Sequence, residues 1–127
     1  MVAIAGGIDQ AFASVATSPA SAAAAIDLQH LARMTLGDRG LEREVLALFD
    51  RQGDMLLPRI RCGAVAVAAA SAHTLKGSAV GIGAWRVAGA AEAVERANNS
   101  EFAAAVEALD LAIAETKAEI AHLLRAH

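Results

Sequence analysis

The residues best suited to chemistry lie in one short stretch, residues 71–84, and centre on His73. If this stretch is helical, Lys76 and Gly77 follow His73 by three and four positions, so all three share one helix face. An imidazole nitrogen is a nucleophile, an ammonium balances negative charge, and a glycine leaves open space beside both. The combination suits a site that holds a phosphoryl group within reach of a partner. The alternative is a solvated histidine and lysine near a helix end, because isolated His-x-x-Lys pairs are common.

The composition favours a single helical domain. The chain has 127 residues, of which 56% are hydrophobic and only 3% aromatic, and much of the apolar content is alanine. Alanine favours helices, whereas the β-branched and aromatic residues typical of strands are sparse. The length is sufficient for one domain with its own core. The net charge of −3, with acidic and basic residues interspersed, leaves no basic stripe for nucleic acid.

Three features of the sequence bear on its location. A single cysteine, Cys62, excludes an internal disulfide and fits a reducing compartment. No lysine or arginine precedes Arg33, so the amino terminus lacks the basic start of a secretory signal. No stretch approaches the roughly eighteen uninterrupted apolar residues that a membrane helix needs. We therefore expect a soluble, cytoplasmic protein that does not associate with membranes.

The first predicted helices lie between Asp27 and Pro58. Asp27 is suited to cap a short helix, and Asp38 to cap a longer one with apolar residues at steps of three and four. Because Gly53 and Pro58 disfavour a helix interior, we expect the longer helix to kink or end early near them. Residues 1–25 are rich in Ala, Ser and Gly and show no sustained periodicity, so we expect a poorly ordered arm, with docking as its alternative role.

Three further helices are predicted in the second half of the chain. An apolar stripe runs through residues 65–82, and Gly83 suits the left-handed conformation that ends many helices. Another helix begins near Trp85, and Ser100 is expected to cap the last one. The long seven-residue repeat of that last helix implies near-parallel packing in a bundle. We therefore predict an all-α fold, an antiparallel four-helix bundle with a short additional N-terminal helix, as one domain over residues 26–127.

His73 lies outside the apolar stripe of its own helix, on a face of small residues. Ala66, Ala69, Ala70 and Val80 share that face. A surface of small side chains lets another protein approach the imidazole closely. We therefore predict that these four residues bind the partner.

Glu95 is expected to face His73 across a helical hairpin. The short connection at Gly83 makes the flanking helices antiparallel, so residues equidistant from the turn lie at the same height. With the turn centred near Ala84, His73 and Glu95 are each eleven positions away. A carboxylate there could accept a hydrogen bond from one imidazole nitrogen and leave the lone pair of the other facing out. The alternative is a surface acid paired with Arg96 or with solvent.

The sequence resembles that of histidine-containing phosphotransfer (HPt) domains in several places. The matching runs are Ala72-His73-Thr74-Leu75-Lys76-Gly77-Ser78-Ala79, Gly83-Ala84 and Val94-Glu95, with further similarity at Ile26-Asp27-Leu28 and in residues 41–49. The likeness covers roughly residues 26–125. It implies a four-helix bundle that carries a phosphoryl group between aspartates of response-regulator receiver domains, or from a hybrid histidine kinase to a regulator.

The resemblance also implies a role for each site residue. His73 would be the phosphoacceptor, Lys76 would balance the charge of the phosphohistidine, and Gly77 would leave clearance for the phosphoryl group and the receiver. Glu95 takes the position where the family often has Gln or Glu hydrogen-bonded to the imidazole. The chain would be a phosphocarrier without autonomous kinase activity and without a cofactor of its own, since the partner receiver domain supplies magnesium. We expect a monomer whose partners are receiver domains and a hybrid histidine kinase.

Three other functions account for parts of the sequence. An HPt-like inhibitor or scaffold would bind a kinase or receiver domain without carrying phosphate, but it would need neither His73 nor Lys76. A metal-binding bundle would draw on His30, His73, His122 and His127, yet no pair of them has the helical spacing, with an acid, typical of such sites. A plain dimerisation bundle would need a long exposed apolar seam, which the helical faces outside the predicted core do not supply.

Overall fold

The computed structural model describes residues 24–126, and helices account for most of this part of the chain. In chain order they are α1 (Leu28–Met34), α2 (Arg39–Cys62), α3 (Val65–Ile82), α4 (Trp85–Arg96) and α5 (Phe102–Ala126). Helix α2 packs on α3, α3 on α4 and α4 on α5, and α5 closes the ring against α2. Because short connections join successive helices, their directions alternate. The predicted antiparallel four-helix bundle with a short extra helix, α1, is confirmed.

The predicted arm, residues 1–25, falls almost entirely outside the described part of the chain. The domain boundary at residue 26 therefore stays a prediction. Within residues 24–126 the first core residue is Ile26, which is buried just before α1 begins.

The core combines large side chains from α2 and α5 with small ones from α3. Fully or almost fully buried residues of α2 and α5 include Phe49, Ile60, Leu109 and Ile120. Helix α3 contributes mainly alanines, with Leu75 as its one large side chain at complete burial. Burying a Leu, Ile or Phe side chain stabilises the fold by roughly 1.5–3 kcal/mol. The helix that carries His73 is therefore held in place largely by its neighbours.

Helix α2 extends further than its sequence indicates. Of the two outcomes expected near Gly53 and Pro58, the early end is wrong, because the helix continues to Cys62. The kink stays a prediction. Proline removes one hydrogen bond, to the carbonyl of Asp54, but both residues lie on the exposed side of the helix. The turn beyond the proline is anchored by Ile60, which is completely buried. Tertiary packing therefore outweighs the local preference.

Two details of the later helices also differ from expectation. Val65 is 78% exposed and does not join the buried stripe of α3, which begins at Ala68. Asn98, not Ser100, organises the turn that leads into α5. The Asn98 side chain accepts a hydrogen bond from the Glu101 backbone N–H, and the Glu101 carboxylate accepts one from the Asn98 N–H. This reciprocal pair is a capping box.

Asp27 fastens α1 to one end of the bundle. Its backbone N–H donates to the Gly83 carbonyl at 2.9 Å, and its carboxylate accepts from the backbone N–H of His30 and from the indole N–H of Trp85. Gly83 has the predicted left-handed conformation, with φ 76°. A Cβ at this position would lie 2.9 Å from both the Cβ and the carbonyl oxygen of Asp27. Backbone conformation and close packing thus both require glycine here.

We expect Asp27→Ala to lower the free energy of unfolding by about 0.5–2 kcal/mol near neutral pH, the usual cost of losing an N-cap side chain. The hydrogen bonds from Trp85 and His30 hold the pKa of Asp27 below its usual range. A lowered folded-state pKa gives a contribution that is complete above the unfolded value of about 3.9 and is lost as the pH falls through the folded value. The difference between the two proteins should therefore shrink in acid. Urea unfolding followed by circular dichroism measures it.

Trp85→Phe serves as the partial control for this prediction. It keeps an aromatic ring beside His30, whose ring centroid lies 4.8 Å from that of Trp85, but removes the indole donor. This variant should lose part of the pH-dependent stability and keep the backbone cap. A loss for Asp27→Ala that stays constant from about pH 7 to about pH 3 would contradict the assignment.

Candidate functional site

His73 projects from the middle of α3 away from the bundle core. Its side chain is 73% exposed, whereas Ala72 and Leu75 on the other side of the helix are completely buried. The predicted separation between the apolar stripe of α3 and the face that carries His73 is therefore present in the fold. Another protein can reach this imidazole without any rearrangement of the bundle.

Glu95, on α4, lies within hydrogen-bond distance of His73. Its Oε2 atom is 2.8 Å from Nδ1 of the imidazole, and its side chain is only 19% exposed. Because an ionised carboxylate only accepts hydrogen bonds, Nδ1 is the donor, and in the neutral imidazole Nε2 then keeps its lone pair. The structure thus places side by side the two residues that counting from the hairpin turn predicts to face each other. The part Glu95 plays in a reaction stays a prediction.

Lys76 approaches the same carboxylate from one turn further along α3. Its Nζ atom lies 3.5 Å from Oε1 of Glu95, while Oε2 faces His73. One carboxylate therefore holds both the imidazole and the ammonium group, using a different oxygen for each. The Lys76 side chain is 30% exposed and that of Glu95 19%, so the ion pair is partly shielded from water.

The remaining predicted residues form an open, small-residue surface around His73. A Cβ built at Gly77 would meet nothing within 4 Å, so space is open beside the imidazole. Ala66 and Ala70 are exposed, Ala69 is half-buried, and Val80 is 41% exposed. All lie on the outward side of α3 with His73. Their binding of a partner stays a prediction.

His30 contacts this face in a way that local sequence patterns do not reveal. Its Nε2 atom lies 2.8 Å from the carbonyl oxygen of Val80, to which the ring N–H donates. The ring also packs near Trp85 at the start of α4. Helix α1 is thereby tied to the last turns of α3, on the side where the partner is predicted to bind.

The histidines do not assemble into a metal centre within the part of the chain that the structure describes. No group of three or more His, Cys, Asp or Glu side chains among residues 24–126 is placed to hold a metal ion. His122 is exposed on α5, and His127 lies outside the described residues. Among the described helices, none has the length and apolar character needed to cross a membrane.

The fold and site together define a class: a helical bundle that presents an open histidine oriented by a carboxylate. Comparison with protein families agrees with this class. The chain belongs to the Hpt domain family, whose model matches residues 44–125, more than half of its length. Domains of this family are phosphocarrier modules that act in histidine phosphotransfer in two-component systems, together with histidine kinases and response regulators. Comparison with curated proteins and with solved structures finds no match.

We expect the neutral imidazole of His73 to carry its proton on Nδ1, because the hydrogen bond to Glu95 selects that tautomer. Glu95→Ala should remove the selection and let both tautomers appear. Long-range ¹H–¹⁵N correlation spectra, recorded where the imidazole is neutral, distinguish protonated from unprotonated ring nitrogens. The matched control is Glu92→Ala, which removes another acid of α4, one paired with Arg96. A proton on Nε2 in the wild type, or identical spectra for wild type and Glu95→Ala, would contradict the assignment.

Proposed function

We propose that this protein relays a phosphoryl group through a phosphohistidine at His73, from a receiver aspartate of a hybrid histidine kinase to a response regulator. The observation that carries the proposal is the geometry of His73 in a chain of the Hpt family. Its side chain is 73% exposed, and its Nδ1 atom is engaged by Glu95, which leaves Nε2 as the outward nucleophile.

The proposed transfer requires few chemical groups from this protein. A neutral imidazole is a competent nucleophile, and the hydrogen bond from Nδ1–H to Glu95 leaves the lone pair of His73 on Nε2. The Nε2 lone pair attacks the phosphorus of the aspartyl phosphate, the bond from phosphorus to the aspartate oxygen breaks, and the carboxylate leaves. The imidazole becomes cationic as the N–P bond forms. Glu95, still accepting from Nδ1–H, stabilises that charge, and the second receiver reverses the same step.

Lys76 and Gly77 would act on the phosphoryl group once it is bound. Phosphoryl transfer depends mainly on positioning and on stabilising charge. The Lys76 ammonium group, now beside Glu95, is close enough along α3 to turn toward the added phosphoryl oxygens. The open space at Gly77 lets the receiver approach. We propose that the protein needs no cofactor of its own, and that the receiver provides magnesium and its acidic pocket.

Transfer from a chemically phosphorylated receiver domain tests the proposal. The wild-type chain should gain label in an acid-labile, base-stable bond, and His73→Gln should gain none. His122→Gln is the matched control, because it removes an exposed histidine of α5 and should be labelled like the wild type. If receivers bind the chain but none labels it, the inhibitor or scaffold function replaces the relay.

We expect Gly77→Gln to slow transfer by roughly 10- to 100-fold, because a side chain there displaces the receiver from the reacting nitrogen. The fold should stay intact and the melting temperature should not fall, since glutamine favours helices more than glycine does and the site is open. Gly89→Gln is the control, because a Cβ at this position of α4 also meets nothing within 4 Å. Transfer at the wild-type rate by Gly77→Gln would refute the clearance argument.

A further inference from the structure

An apolar groove of about 280 Å³ lies beside the site, between the end of α1, the first half of α2 and the last turns of α3. Met34, Leu41, Leu48, Ser78 and Gly81 line it together with other uncharged residues. Among residues 24–126, no ionisable side chain takes part in the lining. The groove therefore fits an apolar occupant.

The rim of the groove leaves large apolar side chains in water. Met34 is 55% exposed, Leu41 40% and Leu48 47%. Leu41 and Leu48 belong to the apolar residues at steps of three and four that predict the buried stripe of α2, so their exposure corrects that prediction. Next to Met34 and Thr35 in the chain, Leu36 is 92% exposed and has a left-handed φ of 55°. A clustered apolar surface of this kind marks a contact site more often than chance exposure does.

The chain enters the described fold next to this groove. Ile26 is buried, and the N–H of Asp27 bonds to the Gly83 carbonyl at the end of α3. Gly81 and Ile82, two of the groove residues, directly precede that glycine. Residues 1–23 therefore attach at the groove's own end of the bundle, which gives them a high effective concentration there.

The sequence of residues 1–23 matches the chemistry of the groove. Asp9 is the only charged side chain in this segment. Periodicity is not sustained over residues 1–25 as a whole, but within residues 4–15 Ile4, Ile8, Phe12 and Val15 recur at intervals of four, four and three. Such intervals place side chains on one face of a helix, although a helix of about three turns is marginal in water without a partner surface. The ten residues from 16 to 25 can span up to about 33 Å, longer than the whole of α3 at about 27 Å.

We propose that residues 4–15 dock as an amphipathic helix in the groove of the same chain, with Ile4, Ile8, Phe12 and Val15 facing Met34, Leu41 and Leu48. Docking would bury the exposed rim side chains, a gain that grows with the apolar area removed from water. Gly81 lies one turn beyond Gly77, so the docked segment borders the open face of His73. The docking itself does not depend on phosphotransfer at that histidine.

Disulfide closure in the full-length chain tests this docking. In a Cys62→Ser background, Ala11→Cys is combined either with Ser78→Cys, inside the groove, or with Gly89→Cys on α4. Gly89 lies near the same height of the bundle but outside the groove, and its surroundings are open. Under mild oxidation the Ser78→Cys pair should close within one chain at least about tenfold faster than the Gly89→Cys pair, because docking raises the effective concentration.

Adding Ile8→Asp and Phe12→Asp should reduce the faster rate to that of the Gly89→Cys pair, because charge on the apolar face prevents docking. Equal rates for the two pairs, or a fast rate that the aspartates leave unchanged, would overturn the proposal. Disulfides formed mainly between chains would overturn it in favour of a second copy as the occupant. Since the readout involves no phosphoryl group, its failure leaves the proposed relay function untouched, and the reverse also holds.

Discussion

The hydrogen bond between His73 and Glu95 depends on the register of the α3–α4 hairpin, and the turn at Gly83 sets that register. Each residue added to a helix rotates the next side chain by about 100°. An insertion of one residue in either helix would therefore swing Glu95 out of the seam. Gly83 resists such a change because its backbone is left-handed and its carbonyl accepts a 2.9 Å hydrogen bond from the backbone N–H of Asp27. The same contact that anchors α1 thus maintains the geometry of the site.

The two side chains in this hydrogen bond differ in their exposure to solvent. Glu95 is largely shielded in the interhelical seam, whereas His73 stands mostly in water. Shielding strengthens the hold of the carboxylate on Nδ1, because less water competes for its oxygens. Exposure keeps Nε2 accessible to another protein. In the proposed relay, Lys76 would offset the negative charge that Glu95 presents to an incoming phosphoryl group.

Local signals made much of the site predictable from the sequence. Glycine's tolerance of the left-handed conformation located the turn at Gly83, and antiparallel counting from it placed Glu95 opposite His73. The length of α2 could not be predicted in this way, because a rule about Pro58 weighs one lost hydrogen bond and not the tertiary burial of Ile60. The contact of His30 with α3 spans fifty residues of sequence, so no periodicity reports it. Periodicity also identifies the apolar face of a helix, but it does not show whether other parts of the fold bury that face.

The small residues of α3 allow the site to be both rigid and open. Alanine costs little side-chain entropy in a helix, so an alanine-rich helix can be stiff without large side chains on its outer face. On the inner face, Ala68, Ala72 and Ala79 let neighbouring helices approach closely, and the bulk of the core comes from residues such as Phe49 and Leu109. The surface around His73 can therefore lack large side chains while the backbone of α3 stays rigid. The neighbouring helices supply most of the apolar packing, and the outer face of α3 stays open around His73.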